Sequence, residues 1–323
     1  MLEWVATLFL LPLKCYNGTI TRRDTMSDFA HKQVDKMIDE IEKELTHNYT
    51  EALKKLNNKL KDIYVKIDMS KSEAERARYI MQSKRIHKLI DKMAKELQYT
   101  NQNSIDIIKD NTYRNYALNH QYATYEVEHL TGYDTGYNLF NRDAVKKILK
   151  KELTPFTEIA YEGLLDRGVI MRDLTRQITQ GILLGESIQK IAKRVGEVAE
   201  KNLNDSIRIA RTEMTRVQSA GRQDAFERAE TMGLKLKKKW ISTLDSRTRA
   251  SHAEMMGEEV EISKPFSNGL MYPGAVGGHP REVINCRCTH VVEFVGIEKS
   301  AKEKELDERL KELSFKQWGE LRD

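Results

Sequence analysis

The residues best suited to chemistry lie in the C-terminal third of the chain. Asp245 and His252 lie in one short segment, and Cys286 and Cys288 follow a loop rich in glycine and proline. Imidazole and thiolate groups are ligands that zinc prefers. One hypothesis is therefore a zinc site formed by His252, His279, Cys286 and Cys288. The Cys-x-Cys spacing is tighter than that of a standard zinc finger, so we expect no cofactor and keep zinc as the alternative.

The same segment permits a catalytic hypothesis. An Asp245–His252 pair, with Arg211-Thr212-Glu213 upstream, could serve an ADP-ribosyl transferase or a nuclease. No glycine-rich phosphate loop precedes a predicted helix, however, and the loop lacks a second clear carboxylate pair. We therefore expect no enzymatic activity and keep an enzyme that uses the Asp245/His252 region as the alternative.

Basic residues cluster in the same third of the chain. The whole sequence has 54 Lys and Arg against 49 Asp and Glu, a formal net charge of +5, and this mild excess favours an acidic partner. Contacts with phosphates carry no sequence information, so the cluster predicts non-specific binding to double-stranded DNA. The candidate residues are Lys235, Lys237, Lys238, Lys239, Arg247 and Arg249.

The first half of the chain has the pattern of long helices. Apolar residues recur in steps of three and four from Phe29 to Ile67, and no proline occurs from Leu13 to Thr154. This spacing predicts a long amphipathic helix, with a second helix from about Ser72 to Gln98. The apolar stripes indicate a helix-bundle core or self-association through the long helices. Tyrosines in residues 99–140 are interpreted as core-edge residues, with base stacking as the alternative.

The second half changes character near residue 234. The pattern predicts a helix that begins at Pro155 with Thr154 as its cap. It also predicts helices over 171–180, from Ser187 to Val198 and from Asn204 to Met232. It then predicts strands over 237–243 and 288–295, separated by a loop-rich stretch. The expected fold is mainly α, with long N-terminal helices followed by a helical segment and a small α+β C-terminal module.

The N-terminal residues and the tail are treated separately. The apolar run over residues 4–13 is too short to span a bilayer, and it is interpreted as an anchor or as sequence upstream of a true start at Met26. The expected segments are an apolar N-terminal segment (1–25), a long-helix region (26–150), a helical part (151–233), a small β-containing module (234–296) and a charged helical tail (297–323).

The order of these residues resembles that of a known family. One part is Arg-x-x-Arg-Thr-Glu-x-x-Arg, from Arg208 to Arg216 on a predicted helix. The next is Lys-x-Trp-x-x-x-x-Asp-x-Arg-Thr-Arg-x-x-His, which ends at His252, and the last is Asn-Cys-Arg-Cys, which ends at Cys288. Over roughly residues 170–295 the chain looks like the head-morphogenesis domain of tailed bacteriophages, the Mu F-like minor head proteins.

This resemblance implies a virion component of a phage that infects Gram-positive bacteria. Such a protein lies inside the capsid beside the portal, is in the host cytoplasm during assembly, and aids head assembly or the packaging and ejection of DNA. The implied partners are the portal protein, capsid or scaffold proteins and double-stranded DNA, with no membrane. The resemblance implies a structural role, not an active site, for Trp240, Asp245, Arg247, Arg249, His252, Cys286 and Cys288.

Overall fold

The computed structural model describes residues 27–137, 155–298 and 306–322. The apolar run over residues 4–13 and the alternative start at Met26 lie outside these ranges, as does Thr154, which we predicted to cap a helix beginning at Pro155. Within the described ranges no helix combines the length and the hydropathy needed to cross a bilayer.

Most of the described chain is helical. The longer helices are α1 (Ser27–Tyr64), α2 (Glu73–Gln82), α3 (Lys84–Thr131), α4 (Pro155–Leu165), α5 (Arg167–Leu183) and α6 (Ile188–Thr231). The C-terminal part contains β1 (Leu234–Ile241), α7 (Ala250–Glu254), β2 (Glu259–Glu261), α8 (Pro280–Val283), β3 (Thr289–Ile297), a 3-10 helix (Glu308–Lys311) and α9 (Phe315–Arg322). The predicted fold class is confirmed.

The helix predicted over residues 72–98 begins where expected, since Ser72 caps α2, but it is interrupted at Ser83 and does not end at Gln98. The hydroxyl of Ser83 accepts a hydrogen bond from the Ile86 amide and so caps α3. Helix α3 then runs through the tyrosine-rich segment and ends at Gly132, whose φ of 69° is the left-handed conformation common at helix C-termini. The spacing of apolar residues correctly predicted a helical conformation. It did not predict the cap at Ser83, because the same spacing continues across this residue.

Replacing Ser83 with alanine is expected to lower the free energy of unfolding by about 1 kcal/mol, because a first-turn amide of α3 loses its side-chain partner. Urea denaturation of the two proteins would measure it. Ser70 is a suitable control, since it bonds only the nearby Asp68 at the surface, and Ser70→Ala should change stability by less than about 0.5 kcal/mol. Equal losses in the two variants would refute the capping role of Ser83.

Helix α6 corrects a second prediction. The segments Ser187–Val198 and Asn204–Met232 were predicted as separate helices, but the structure joins them into one helix of 44 residues. Asn202 at the expected break keeps its polar groups satisfied inside the helix layer. Its amide nitrogen donates to the carbonyl of Val198, and its oxygen accepts from Asn101 on α3. With no glycine or proline between 197 and 220, nothing interrupts the helix.

Helices α1, α3 and α6 pack along one another and form the main layer of the fold. One apolar cluster joins the C-terminal half of α1 to the start of α3, to α5 and to the start of α6. A second cluster lies further along these helices and includes α4. Between the two long helices α3 and α6 the contact becomes polar: the Asn115 amide donates to the Met214 carbonyl, and Arg222 donates to Asn119.

The sheet is antiparallel, with strand order β2-β1-β3. Leu234 and Leu236 of β1 pack with Phe226 of α6 and Val292 of β3. Alternation along the strand turns Lys235 and Lys237 outward. Because α6 lies directly before β1 in sequence and packs against it, the end of this helix forms the base of the C-terminal module.

The tail and the tyrosines form a separate apolar cluster on α3. Trp318 of α9 is buried and donates to the Glu128 carboxylate, and the Tyr125 hydroxyl donates to the carbonyl of Leu313. Of the tyrosines considered for base stacking, Tyr99 is the one that is clearly exposed, at 65%. The interpretation as core residues is supported for the buried ones, which are Tyr116, Tyr122, Tyr125, Tyr133 and Tyr137.

Candidate functional site

Trp240 is the centre of the loop-rich module. Its side chain is fully buried, and its ring lies edge-on to His252 and to Phe266, with centroids 5.4 and 5.1 Å away. Its indole nitrogen donates to the Ser242 hydroxyl at 3.0 Å, and that hydroxyl donates to the His252 carbonyl. The tryptophan therefore fixes helix α7 and the histidine that it carries.

His252, Cys286 and Cys288 converge beside this tryptophan. The Nδ1 atom of His252 lies 3.4 Å from the Cys288 sulfur and 3.6 Å from the Cys286 sulfur. All three ligand atoms lie within 4.8 Å of one another, and the three residues are at most 3% exposed. Both cysteines are free thiols. The sequence-predicted set of ligands is thus assembled except for one member.

That member is His279, which lies apart from the cluster. It is exposed at the start of α8, where its Nδ1 accepts a hydrogen bond from the Arg281 amide and caps the helix. The position facing His252 is taken by Glu282, whose carboxylate oxygen lies 2.9 Å from Nε2 of that histidine. Sequence reasoning missed Glu282, because a single acid in a loop carries no pattern of its own.

Electrostatics favour the thiolate form of one cysteine. A hydrogen bond from Cys286 and the contact with His252 lower the pKa of the Cys288 thiol to about 4. The bond to Cys288, together with burial, raises the pKa of Cys286. Burial opposes protonation of His252, but its hydrogen bonds with Cys288 and Glu282 raise the imidazole pKa overall. A thiolate is the form that binds metals and attacks electrophiles.

Two threonines of α6 hold the cysteine loop in place. The Thr215 hydroxyl donates to the Cys286 carbonyl at 2.6 Å, and the Thr212 hydroxyl accepts from the Asn285 amide at 3.1 Å. Asn285 has a φ of 53°, a left-handed conformation that asparagine tolerates better than most residues. The sequence placed both threonines near the motif arginines, and the structure shows that they face the loop.

Beneath the threonines lies a buried ion pair. Two nitrogens of Arg216 lie 3.2 and 2.9 Å from one oxygen of Glu213, and both residues are 2% exposed. The other Glu213 oxygen accepts from the Thr157 hydroxyl at 2.7 Å. Gly274 of the loop, with a φ of 80°, approaches the Arg216 backbone so closely that a Cβ there would lie 3.2 Å from its Cα. These motif residues therefore connect α6, α4 and the loop.

Asp245 has a different partner from the one predicted for catalysis. Its carboxylate binds the Arg287 guanidinium at 2.6 Å, and this contact holds the Asp245 pKa well below its ordinary value. His252 is bound to Glu282 instead. The Asp245–His252 pair on which the catalytic hypothesis relied is therefore not formed.

The predicted basic patch is reduced to about half of its members. Lys238 is buried with Trp240 on the inner face of β1, where its amine donates to the carbonyls of Ile262 and Met271. Burial lowers the pKa of this amine to about 8. Lys238 is thus a wrong member of the DNA-binding set, because strand alternation turns it away from solvent.

Two further members of the patch are engaged within the protein. Lys239 forms ion pairs with Glu259 and Glu293 at 2.9 and 3.2 Å, and Arg249 donates to the Ile284 carbonyl. The remaining members are exposed, and the described part of the chain offers them no ion pair. They are Lys235, Lys237 and Arg247.

Comparison with known proteins identifies relatives of two kinds. Residues 172–291 match the family described as Phage Mu protein F like protein. The chain is 25% identical over 262 residues to minor head protein GP7 of Bacillus phage SPP1. The aligned region covers 80% of this chain and 83% of GP7. No solved structure matches the chain significantly.

The other kind of relative is longer. The chain is 33% identical over 194 residues to the NAD(+)--arginine ADP-ribosyltransferase EFV of Enterococcus faecalis. The aligned region covers 59% of this chain and 37% of that protein. It is also 28% identical over 151 residues to an uncharacterized protein of Haemophilus influenzae, of which the match covers 27%. The chain thus spans about a third of the length of each of these two relatives.

Proposed function

This chain contains a phage Mu F-like domain and is a homologue of a phage minor head protein, and from that premise we propose that it is a structural component of a tailed-phage head. In this role it lies beside the portal, inside the capsid, and aids head assembly or the packaging and ejection of DNA. The observation that carries the proposal is the similarity to GP7, which extends beyond the Mu F-like domain over most of both chains.

The contacts of the motif residues support a structural role for the module. Glu213 and Arg216 bind each other, Thr215 binds the backbone of the cysteine loop, and Asp245 binds Arg287. Side chains that resemble catalytic groups in the sequence thus join one part of the module to another. These contacts support the structural, non-enzymatic role that we propose.

Assembly of heads from co-expressed proteins would test the portal association. The chain is co-expressed with the portal, scaffold and major capsid proteins of the phage that encodes it, and the heads are analysed by mass spectrometry. We expect the chain in heads that contain portal and not in heads assembled without it. Equal amounts in both kinds of head would overturn the portal association, and absence from both would overturn the role in the head.

An enzyme remains the second candidate, and the similarity to EFV is the observation that favours it. The test is transfer of labelled ADP-ribose from NAD(+) to an arginine acceptor by the purified full-length chain. We expect no transfer above a protein-free blank. Transfer that is lost in Asp245→Ala, with unchanged thermal stability, would establish the enzyme and refute the purely structural role.

DNA binding is proposed to depend on Lys235, Lys237 and Arg247. The triple alanine variant is expected to weaken binding to two duplexes of unrelated sequence by the same factor, because phosphate contacts do not read sequence. The slope of log affinity against log salt should become shallower by about one for each lost contact. Gel-shift titrations at several salt concentrations would measure both effects.

A matched control removes the same charge elsewhere. Lys84, Arg85 and Lys88 are exposed at the start of α3, and their triple alanine variant should bind DNA like the wild type. Equal weakening by the two triple variants would show that net charge alone is responsible. Wild-type binding that is absent or independent of salt would refute the DNA-binding part of the proposal.

A further inference from the structure

The cluster beside Trp240 has the donor atoms of a metal centre. We propose that His252 Nδ1 and the sulfurs of Cys286 and Cys288 bind one zinc ion, which clamps α7 to the loop that precedes β3. Nitrogen and thiolate donors select zinc over magnesium or calcium, which prefer oxygen. The proposal goes beyond the role in the phage head and does not depend on it.

The distances between donor atoms fit a tetrahedral ion. With zinc about 2.3 Å from sulfur and about 2.0–2.1 Å from nitrogen, the sulfur–nitrogen edge of a tetrahedron is about 3.5 Å. The two edges in the structure are 3.4 and 3.6 Å. One nitrogen therefore faces both sulfurs at the separation that a shared ion requires.

The groups behind the ligands are arranged as in a metal site. Glu282 binds Nε2 of His252 at 2.9 Å, so that a proton on Nε2 leaves the lone pair of Nδ1 facing the sulfurs. The Cys288 amide donates to the Cys286 sulfur at 3.5 Å, a contact that stabilises a thiolate. Thr215 fixes the Cys286 carbonyl from α6. Helices α6, α7 and α8 thus hold the ligands in place before any ion binds.

The main alternative is a cysteine nucleophile, since Cys288, His252 and Glu282 lie in the order of a catalytic relay. Two observations favour the metal. The Cys288 side chain is 3% exposed and packs in an apolar cluster with Trp240 and Phe266, so a substrate has no access to the sulfur. The second thiol, Cys286, has no task in a relay but is required in a metal site.

Metal analysis of the purified full-length chain tests the proposal. After expression in zinc-supplemented medium without an affinity tag, we expect about one zinc per chain by plasma mass spectrometry. Removal by a chelator should lower the melting temperature, and added zinc should restore it. Cobalt added to the stripped protein should give thiolate-to-metal charge-transfer absorption and the intense visible bands of a tetrahedral site.

Variants assign the ligands. Cys286→Ser, Cys288→Ser and His252→Ala should each lose most of the bound metal. The third cysteine of the chain and the exposed histidine provide matched controls, because Cys15→Ser and His279→Ala should retain about one zinc. If a ligand variant fails to fold, the cobalt spectrum of the wild type still decides whether sulfur binds the ion.

Three results would overturn the proposal. The first is a metal-free chain whose melting temperature and cobalt spectrum do not respond to metal. The second is a Cys286–Cys288 disulfide, detected by mass after alkylation without reduction. The third is rapid, selective alkylation of Cys288 in the folded protein that added zinc does not slow, which would identify a reactive nucleophile instead.

Discussion

Replacing Arg216 with alanine is expected to lower the free energy of unfolding by about 3–5 kcal/mol, because the Glu213 carboxylate is then left buried without its cation. The effect is large because both side chains are 2% exposed and water cannot replace the guanidinium. The backbone and Cβ atoms of Arg216 that Gly274 approaches are retained in alanine, so the loss comes from the ion pair. Urea denaturation monitored by tryptophan fluorescence and by circular dichroism would measure the loss.

The same helix offers a matched control. Arg208 forms an ion pair with Asp205 at 2.8 Å, also three residues away, but its side chain is 48% exposed. Arg208→Ala should therefore cost less than about 1 kcal/mol. A double variant, Glu213→Leu with Arg216→Met, should recover much of the loss, since it leaves no unpaired charge. Similar losses for Arg208→Ala and Arg216→Ala would contradict the role of burial.

Replacing Gly221 with alanine is expected to lower the free energy of unfolding by about 2–3 kcal/mol, although the same change in an exposed helix stabilises by about 1 kcal/mol. A Cβ at Gly221 would lie 2.6 Å from the Tyr116 carbonyl oxygen and 3.1 Å from the His120 amide. Both are backbone atoms of α3, so the clash cannot be relieved by a side-chain rotation. The two helices must therefore move apart at this point.

Gly196 provides the comparison, because it lies in the interior of the same helix. A Cβ there would meet only the Leu53 side chain, at 3.9 Å, which is ordinary contact. Gly196→Ala should raise the free energy of unfolding by up to about 1 kcal/mol. The two alanine variants should thus change stability in opposite directions, as thermal denaturation would record. Stabilisation by Gly221→Ala would refute the close approach of α3 and α6.

The helical part of the fold could be predicted because its signal is local. The apolar stripe of α1 and the helix start at Pro155 follow from spacing and from backbone restrictions that act within a few residues. The lengths of α3 and α6 could not be predicted in the same way. Asn202 has a low helix propensity, which favours a break at this point. Its hydrogen bond with Asn101 joins residues far apart in the sequence, so the local pattern does not reveal it.

The candidate site could be predicted in composition but not in pairing. Histidine and cysteine residues drew attention by type, and three of the four proposed ligands come together. Whether His279 or Glu282 of α8 faces His252 depends on how this helix turns, which the residues alone do not determine. Lys238 is a different case. Its side chain lies on the same face of β1 as those of Leu236 and Trp240, which alternation along the strand predicts to be buried. Its charge instead suggested a solvent-exposed side chain.

The length of α6 has a mechanical consequence. Its 44 residues extend about 66 Å at 1.5 Å per residue. The first half packs in the helical layer, and the second half carries the contacts to the cysteine loop and the sheet. Continuous backbone hydrogen bonds join the two halves, so neither can rotate without breaking the helix. The helix thus holds the packed long helices and the module at a fixed separation.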